Sequence, residues 1–257
     1  MRRLALAFAL VAALAAPARA ALTEAQLAAV GLFPPPGAAL PRDLALVDET
    51  GRAVTGAALR SGRPAVLVLA DYTCRTLCGT ALGLAAAALE RTGLAAGTDY
   101  DLLVLGIDPR DGPAEALAMK AARLGASPLA ARARFLSGDA AALDAAQAAL
   151  GYRAALDAAA DEYAHPLGAF VLTGEGAVSR VLDGLALSPE ELRLALAEAA
   201  GGRVGRFVER LRLLCYGLDP ARGVYNGLVK QALAAGTALT LLGLGAFVLA
   251  LNRRRRA

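Results

Sequence analysis

Three observations predict an α/β domain carried between an export signal and a membrane anchor. Apolar runs of strand length alternate with alanine-rich helical stretches in the order β-α-β-α-β-α-β-β-α. Residues 1–20 have the three parts of a secretory signal, and residues 232–251 form an uncharged apolar stretch close to the C-terminus. A crossover βαβ half followed by a ββα half is the layout of a thioredoxin-like α/β domain.

In chain order, Arg2 and Arg3 open the signal, residues 4–16 form its apolar centre, and Ala18-Arg19-Ala20 is an A-x-A cleavage site. The apolar centre is too short to span a bilayer. Residues 21–43 are a lead-in. An amphipathic stretch at 22–30 precedes Phe33-Pro34-Pro35-Pro36-Gly37, whose prolines forbid a regular helix or a central strand. The domain proper spans 44–200. It opens with a hairpin, 44–47 and 53–55 around Asp48-Glu49-Thr50-Gly51.

Residues 64–70 read as a buried strand, and a helix from Gly79 to Arg91 stops at Gly93. A second buried strand at 102–107 runs into Asp108-Pro109-Arg110-Asp111-Gly112-Pro113, a turn and helix start, with a helix over 114–124. Residues 134–136 are a short strand, and Asp139 caps a helix to about Leu150. Residues 169–172 and 177–182 form a hairpin across Gly174-Glu175-Gly176. Ser188-Pro189-Glu190-Glu191 starts a helix reaching about Ala200.

Residues 201–231 are a basic juxtamembrane segment. Its helix, 203–215, sets Val204, Phe207, Val208, Leu211 and Leu214 against Arg203, Arg206, Arg210 and Arg212. Such a face rests on lipid headgroups or packs on the domain. At 1.5 Å per residue the span at 232–251 covers roughly 30 Å, one hydrocarbon core. Arg253 to Arg256 follow in the tail, 252–257, and place the C-terminus in the cytoplasm. The expectation is a single-pass protein of the cytoplasmic membrane with its domain on the periplasmic, extracytoplasmic side.

Charge excludes one class of function. The formal net charge is +4, but seven basic residues (Arg2, Arg3, Arg19 and Arg253 to Arg256) belong to targeting and topology. The remainder carries 20 basic against 23 acidic residues, so no nucleic-acid partner is implied.

Cys74 and Cys78 carry the chemistry. They lie four apart in Asp71-Tyr72-Thr73-Cys74-Arg75-Thr76-Leu77-Cys78-Gly79, straight after a strand. With a helix beginning near Cys74, both sulfurs share one face at a strand-to-helix junction, where the first-turn N–H groups favour thiolate. A plain stabilising disulfide closes too small a loop to constrain much chain. Thioredoxin-type enzymes use CxxC; one more residue lets two thiolates stand side by side on a metal and still permits a disulfide.

His165, the only histidine, lies in Asp161-Glu162-Tyr163-Ala164-His165-Pro166-Leu167-Gly168. An isolated loop histidine is the plainer reading. In a thioredoxin-like fold, however, the loop entering the next strand faces the first βα turn, where the cysteines sit. Two thiolates and one imidazole suit copper, Cu(I) above Cu(II). Zinc remains open if Asp71, Asp161 or Glu162 supplies a fourth ligand. The third cysteine, Cys215, reads as an unpaired thiol near the membrane.

With Tyr72-Thr73-Cys74 and Cys78, Asp108-Pro109-Arg110-Asp111, Phe135-Leu136-Ser137-Gly138-Asp139, Tyr163-Ala164-His165, and Leu214-Cys215-Tyr216 with Asp219-Pro220, the chain resembles the Sco/SenC family over about residues 40–251. These are membrane-tethered, copper-binding, thioredoxin-like proteins that assist cytochrome c oxidase assembly. The resemblance implies Cys74, Cys78 and His165 as copper ligands. It implies as partner the CuA-bearing subunit of the oxidase or another copper protein. It also leaves open a thiol-disulfide oxidoreductase that uses the cysteine pair to keep client thiols reduced. Two departures stand out. Arg75 and Gly79 occupy places where many members carry proline, and the His165-Pro166 bond is a candidate for the cis form that thioredoxins place near their cysteines.

Overall fold

The computed structural model describes residues 22–74, 78–125, 127–184 and 186–202, with short pieces at 218–219, 224–225, 235–237, 240 and 243–244. The chain divides into two units, Met1–Gly205 and Arg206–Ala257.

The first unit is built on a seven-stranded mixed sheet. Its strands are β2 (Ala45–Asp48), β3 (Ala53–Thr55), β4 (Ala65–Ala70), β5 (Asp101–Gly106), β6 (Arg134–Gly138), β10 (Gly168–Leu172) and β11 (Val178–Asp183). The spatial order is β11-β10-β4-β5-β6-β2-β3. β4, β5 and β6 run parallel, with Val66 opposite Leu102 and Val104 opposite Phe135. β10 and β2 flank this centre antiparallel, and β11 and β3 extend it by hairpins.

The two central strands are apolar at nearly every position because both faces are covered. Val66, Val68, Leu102 and Val104 enter one core, while Leu67, Leu69, Leu103 and Leu105 enter the other. This is the period-two alternation of a strand between two layers. The first layer holds α2 (Cys78–Leu89), α3 (Pro113–Leu124) and α5 (Pro189–Ala200), through Leu82, Leu89, Met119, Leu192 and Leu196. The second holds α4 (Ala140–Leu150), through Leu143, Ala146 and Leu150, together with Leu40 of the lead-in.

The predicted helix starts are present. Asp139 Oδ1 accepts from Ala142 N at 2.8 Å, and Ser188 Oγ from Glu191 N at 3.2 Å with Pro189 in the first turn. At α3 the Glu115 carboxylate reaches back to Gly112 N at 2.9 Å.

Several short elements go beyond the sequence reading. The stretch at 22–30 contains α1 (Glu24–Ala29), closed by a Thr23–Gln26 capping box and burying no residue. β1 (Gly31–Leu32) pairs with β7 (Tyr152–Arg153), so the proline-rich lead-in is strapped to the end of α4. There Gly151 has φ +65°, and a Cβ would fall 2.0 Å from the Phe33 carbonyl oxygen. Only glycine fits that crossing. Residues 155–164, part of which reads as loop from sequence, form a hairpin of β8 (Ala155–Asp157) and β9 (Glu162–Ala164).

The signal at 1–20, the basic helix at 203–215 with Cys215, and the tail at 252–257 lie outside the described residues, as does most of the span at 232–251. In that span residues 235–237, 240 and 243–244 are helical and exposed, and Thr240 Oγ1 donates to the Gly236 carbonyl at 2.8 Å. Among the described residues no helix is long and apolar enough to cross a membrane. The second unit also contains a two-residue antiparallel pair, β12 (Leu218–Asp219) with β13 (Val224–Tyr225).

Candidate metal and redox site

The Cys segment leaves β4 at Ala70 and is fixed at once by three buried side chains. Asp71, 1% exposed, caps the turn: its Oδ1 accepts from the backbone N–H of Thr73 and of Cys74, each at 3.1 Å, and from the Thr73 hydroxyl at 3.3 Å. This is what a short acidic side chain does for orphan amides at a turn. Tyr72 passes beneath β5 and β6. Its ring lies against Gly106, where a Cβ would come within 3.0 Å of it. Its hydroxyl sits 2.8 Å from the Leu136 carbonyl, accepts from Leu136 N at 3.2 Å and lies 3.1 Å from the Val104 carbonyl. Asp111 Oδ2 accepts from Tyr72 N at 2.9 Å.

Cys74 is 8% exposed and disulfide-bonded. Cys78 opens α2; its side chain and residues 75–77 lie outside the described residues. Gly79, flagged above for the absent proline, is covered rather than empty. A Cβ there would fall 2.0 Å from Arg123 Nε, so a guanidinium from α3 lies against the first turn of α2.

His165 follows β9 directly. Its Nδ1 lies 3.2 Å from the Pro166 carbonyl oxygen. A carbonyl only accepts, so this contact assigns the proton to Nδ1 and leaves the Nε2 lone pair available to a metal. Burial pushes the imidazole below its ordinary pKa; the Pro166 bond and the charge of Asp71 oppose that shift in part. The shift favours the neutral ring, the form in which an imidazole ligates a metal. The His165-Pro166 bond is trans, as are all described peptide bonds. That is the ordinary state of an X-Pro bond, and the thioredoxin-like cis-proline raised from sequence is not present.

The β8–β9 hairpin ends one residue before His165, and its second strand is tied to the cysteine loop at Tyr163. Asp157 Oδ1 accepts from Ala159 N and Ala160 N at 2.9 and 3.2 Å, and Asp161 takes the left-handed conformation with φ 54°. A short polar side chain tolerates that conformation. Two tethers then hold the hairpin. Arg110 grips Asp108 through Nε and Nη2 at 2.6 to 3.0 Å and reaches Asp161 Oδ1 with Nη1 at 2.7 Å. Asp71 Oδ2 accepts from the backbone N–H of Tyr163 at 3.2 Å.

One carboxylate thus touches the Cys74 amide on one side and, on the other, the strand that ends one residue before His165. Asp71, Asp161 and Glu162 are the sequence candidates for a fourth zinc ligand. Asp71 spends both oxygens on backbone amides, and Asp161 is paired with Arg110. Among the described residues no group of three His, Cys, Asp or Glu side chains is arranged to hold a metal ion. Sequence reading did not find the tethering role of Asp71 or the Arg110–Asp161 link. The acid two and three residues before Thr73 and Cys74 is a cap signal, but nothing local points to Tyr163.

Asp71, Asp108 and Asp111 are all buried. Burial, reinforced by the charges of Asp71 and Asp108, raises Asp111 to about 6 from its ordinary 3.8, against the pull of the Tyr72 N–H and the Thr73 hydroxyl. Asp108 moves the other way: burial would raise it, but the Arg110 side chain and N–H outweigh that and hold it below the ordinary range. Tyr152, whose ring packs on Phe170 with centroids 6.5 Å apart, buries a hydroxyl that finds no hydrogen-bond partner among the described residues. Burial, and then the charge of Asp71, push its pKa up.

A pH dependence follows. Asp111 holds its proton more tightly folded than unfolded, so its contribution to stability is complete below 3.8 and is lost as pH rises through about 6. Asp111→Asn should remove that fall. Urea denaturation at intervals from pH 4 to 7 checks it, and equal slopes in the two proteins would show that Asp111 does not titrate in this window.

A family model described as SCO1/SenC matches residues 35–201, more than half of the chain. Among solved structures, ScoI of Arabidopsis thaliana with copper bound is 16% identical with a TM-score of 0.52, covering 62% of this chain and 99% of that one. A SCO1/SenC family lipoprotein from Bacillus anthracis str. Ames gives 16% and 0.52, over 63% and 97%. BsSco, described as a member of the Sco family of cytochrome c oxidase assembly proteins with a disulfide switch, gives 15% and 0.54, over 65% and 96%. At these identities the likeness is one of fold, and it extends over nearly the whole of each neighbour. No curated protein sequence matches the chain significantly.

Proposed function

The chain belongs to the SCO1/SenC family, and from that premise we propose that it is a copper-binding protein assisting cytochrome c oxidase assembly. It would be held on the cytoplasmic membrane by residues 232–251, with the 44–200 domain on the periplasmic side after removal of residues 1–20. Cys74, Cys78 and His165 are the proposed ligands. Its recipient would be the CuA-bearing subunit of the oxidase or another copper protein.

The observation that carries this reading is the tie between the two halves of the site: the Asp71 carboxylate is bonded to the Cys74 amide and to the amide two residues before His165. The donor chemistry fits. Two thiolates are soft ligands suited to Cu(I), and a neutral imidazole with Nε2 available completes a three-ligand set. Copper, as cargo, takes the dithiolate form, so the disulfide at Cys74 must first accept two electrons and two protons from an external dithiol. Arg110, Asp108 and Asp71 hold the ligand-bearing segments in place, which leaves the sulfurs and the ring as the groups that exchange the ion.

Titration of reduced protein with Cu(II), followed by absorption and EPR, and with Cu(I) against a competing chelator for affinity, tests the reading. Wild type should take up one copper per chain with nitrogen and sulfur signatures. His165→Ala should lose the nitrogen coupling and bind at least ~10-fold more weakly, since even changes to groups outside the ligand set cost 10–100-fold. Equal copper content and affinity in both proteins would remove His165 from the ligand set.

A second reading is favoured by the bonded state of Cys74. One cysteine of the pair would attack a client disulfide and the other would resolve the mixed disulfide, keeping client thiols reduced. A single Cys→Ser variant that traps a client as a mixed disulfide would support it.

A further inference from the structure

Asp71 connects chain segments 92 positions apart in sequence. We propose that it is a positioning residue: it does not ligate copper, but locks the backbone of Cys74 and the strand delivering His165 into one unit, so that the approach of the ring to the sulfurs depends on it. The inference rests on the proposed joint action of Cys74 and His165.

The acceptor capacity of the carboxylate supports it. Oδ1 serves three donors on the cysteine side, and Oδ2 serves the Tyr163 amide. Both oxygens are committed, and the group is 1% exposed. A buried carboxylate in this state is held by the amides it serves, and of those the Cys74 amide is itself buried. The Arg110–Asp161 pair is the weaker of the two links described above. The Asp161 side chain is 73% exposed and that of Arg110 is 56% exposed, and an exposed ion pair contributes little. The Asp71 link also ends on a backbone N–H, so it fixes the course of β9 itself rather than one side chain. Its charge reaches the imidazole as well.

Asp71→Asn keeps the shape and halves the acceptor capacity. Its one carbonyl oxygen can serve the cysteine loop or Tyr163 but not both, and its NH2 then faces an N–H. The chain has a single histidine, so the imidazole NMR signals of the full-length protein in detergent are unambiguous. In metal-free wild type these signals should shift when the Cys74 disulfide is reduced. In Asp71→Asn that shift should fall by more than half, and exchange of the Tyr163 amide should rise at least tenfold. Copper affinity should fall by ~10–100-fold with the sulfur charge-transfer band retained.

If Asp71→Asn fails to fold, replacing Tyr163 by its α-hydroxy analogue removes the N–H that Asp71 accepts, and the ring response and the copper affinity should change as in Asp71→Asn. A wild-type ring that ignores the redox state of Cys74 takes the shared site, and this inference with it. A ring that responds equally in wild type and in either variant leaves the site standing and overturns the role of Asp71.

Discussion

Cys74→Ser is expected to abolish stable copper binding. The substitution exchanges a soft thiolate for a hydroxyl that is not ionised near neutral pH and is a poor ligand for Cu(I). The expected loss is more than ~100-fold in affinity, beyond the 10–100-fold typical of groups that only support a ligand. The local fold should survive, because Asp71 holds residue 74 through its backbone N–H and not through sulfur. The removed disulfide should cost no more than ~3 kcal/mol if it closes the short loop to Cys78. Copper retained after gel filtration, the charge-transfer band and a denaturation curve together separate ligand loss from unfolding. A variant that retains one copper with an unchanged spectrum would place the ion elsewhere.

Tyr72→Ala is expected to lower stability by ~3–5 kcal/mol, the usual cost of deleting a large buried aromatic. Tyr72 is 6% exposed, its ring lies on Gly106 and stands 5.9 Å from Phe135, and its hydroxyl meets the backbone of β6. Tyr72→Phe separates the two contributions. It keeps the ring and strands the Leu136 amide and carbonyl, at ~1–3 kcal/mol. The residue stands two positions before Cys74, so the alanine variant should also bind copper more weakly, while the phenylalanine variant should not. Urea denaturation of both proteins, with copper titration alongside, checks this. A loss under ~1 kcal/mol for alanine would mean that the segment is anchored by the Asp71 and Asp111 bonds alone.

How far the site was legible depended on whether each signal was local. The cysteine spacing, the apolar run before it and the caps at Asp139 and Ser188 are local, because each rests on contacts within a few residues. The β8–β9 hairpin was missed. Its strands are three residues each, Ala-Leu-Asp and Glu-Tyr-Ala, too short to show the alternation that marks a strand. At Gly79 the answer comes through space: the volume left by the missing side chain is filled by Arg123 from another helix.

By itself the sequence determined the order of the main-sheet strands and the long helices, the burial of β4 and β5, the candidate ligands and the segments expected to lead the chain out and anchor it. Those follow from residue volume, polarity and spacing, which act over one or two turns of chain. Only the tertiary structure decided that Asp71 meets the Tyr163 amide, that Arg110 reaches Asp161, and that the His165-Pro166 bond is trans. A backbone N–H carries no residue identity. Which acid satisfies it across 92 positions is therefore set by packing of the assembled sheet and not written in any local pattern.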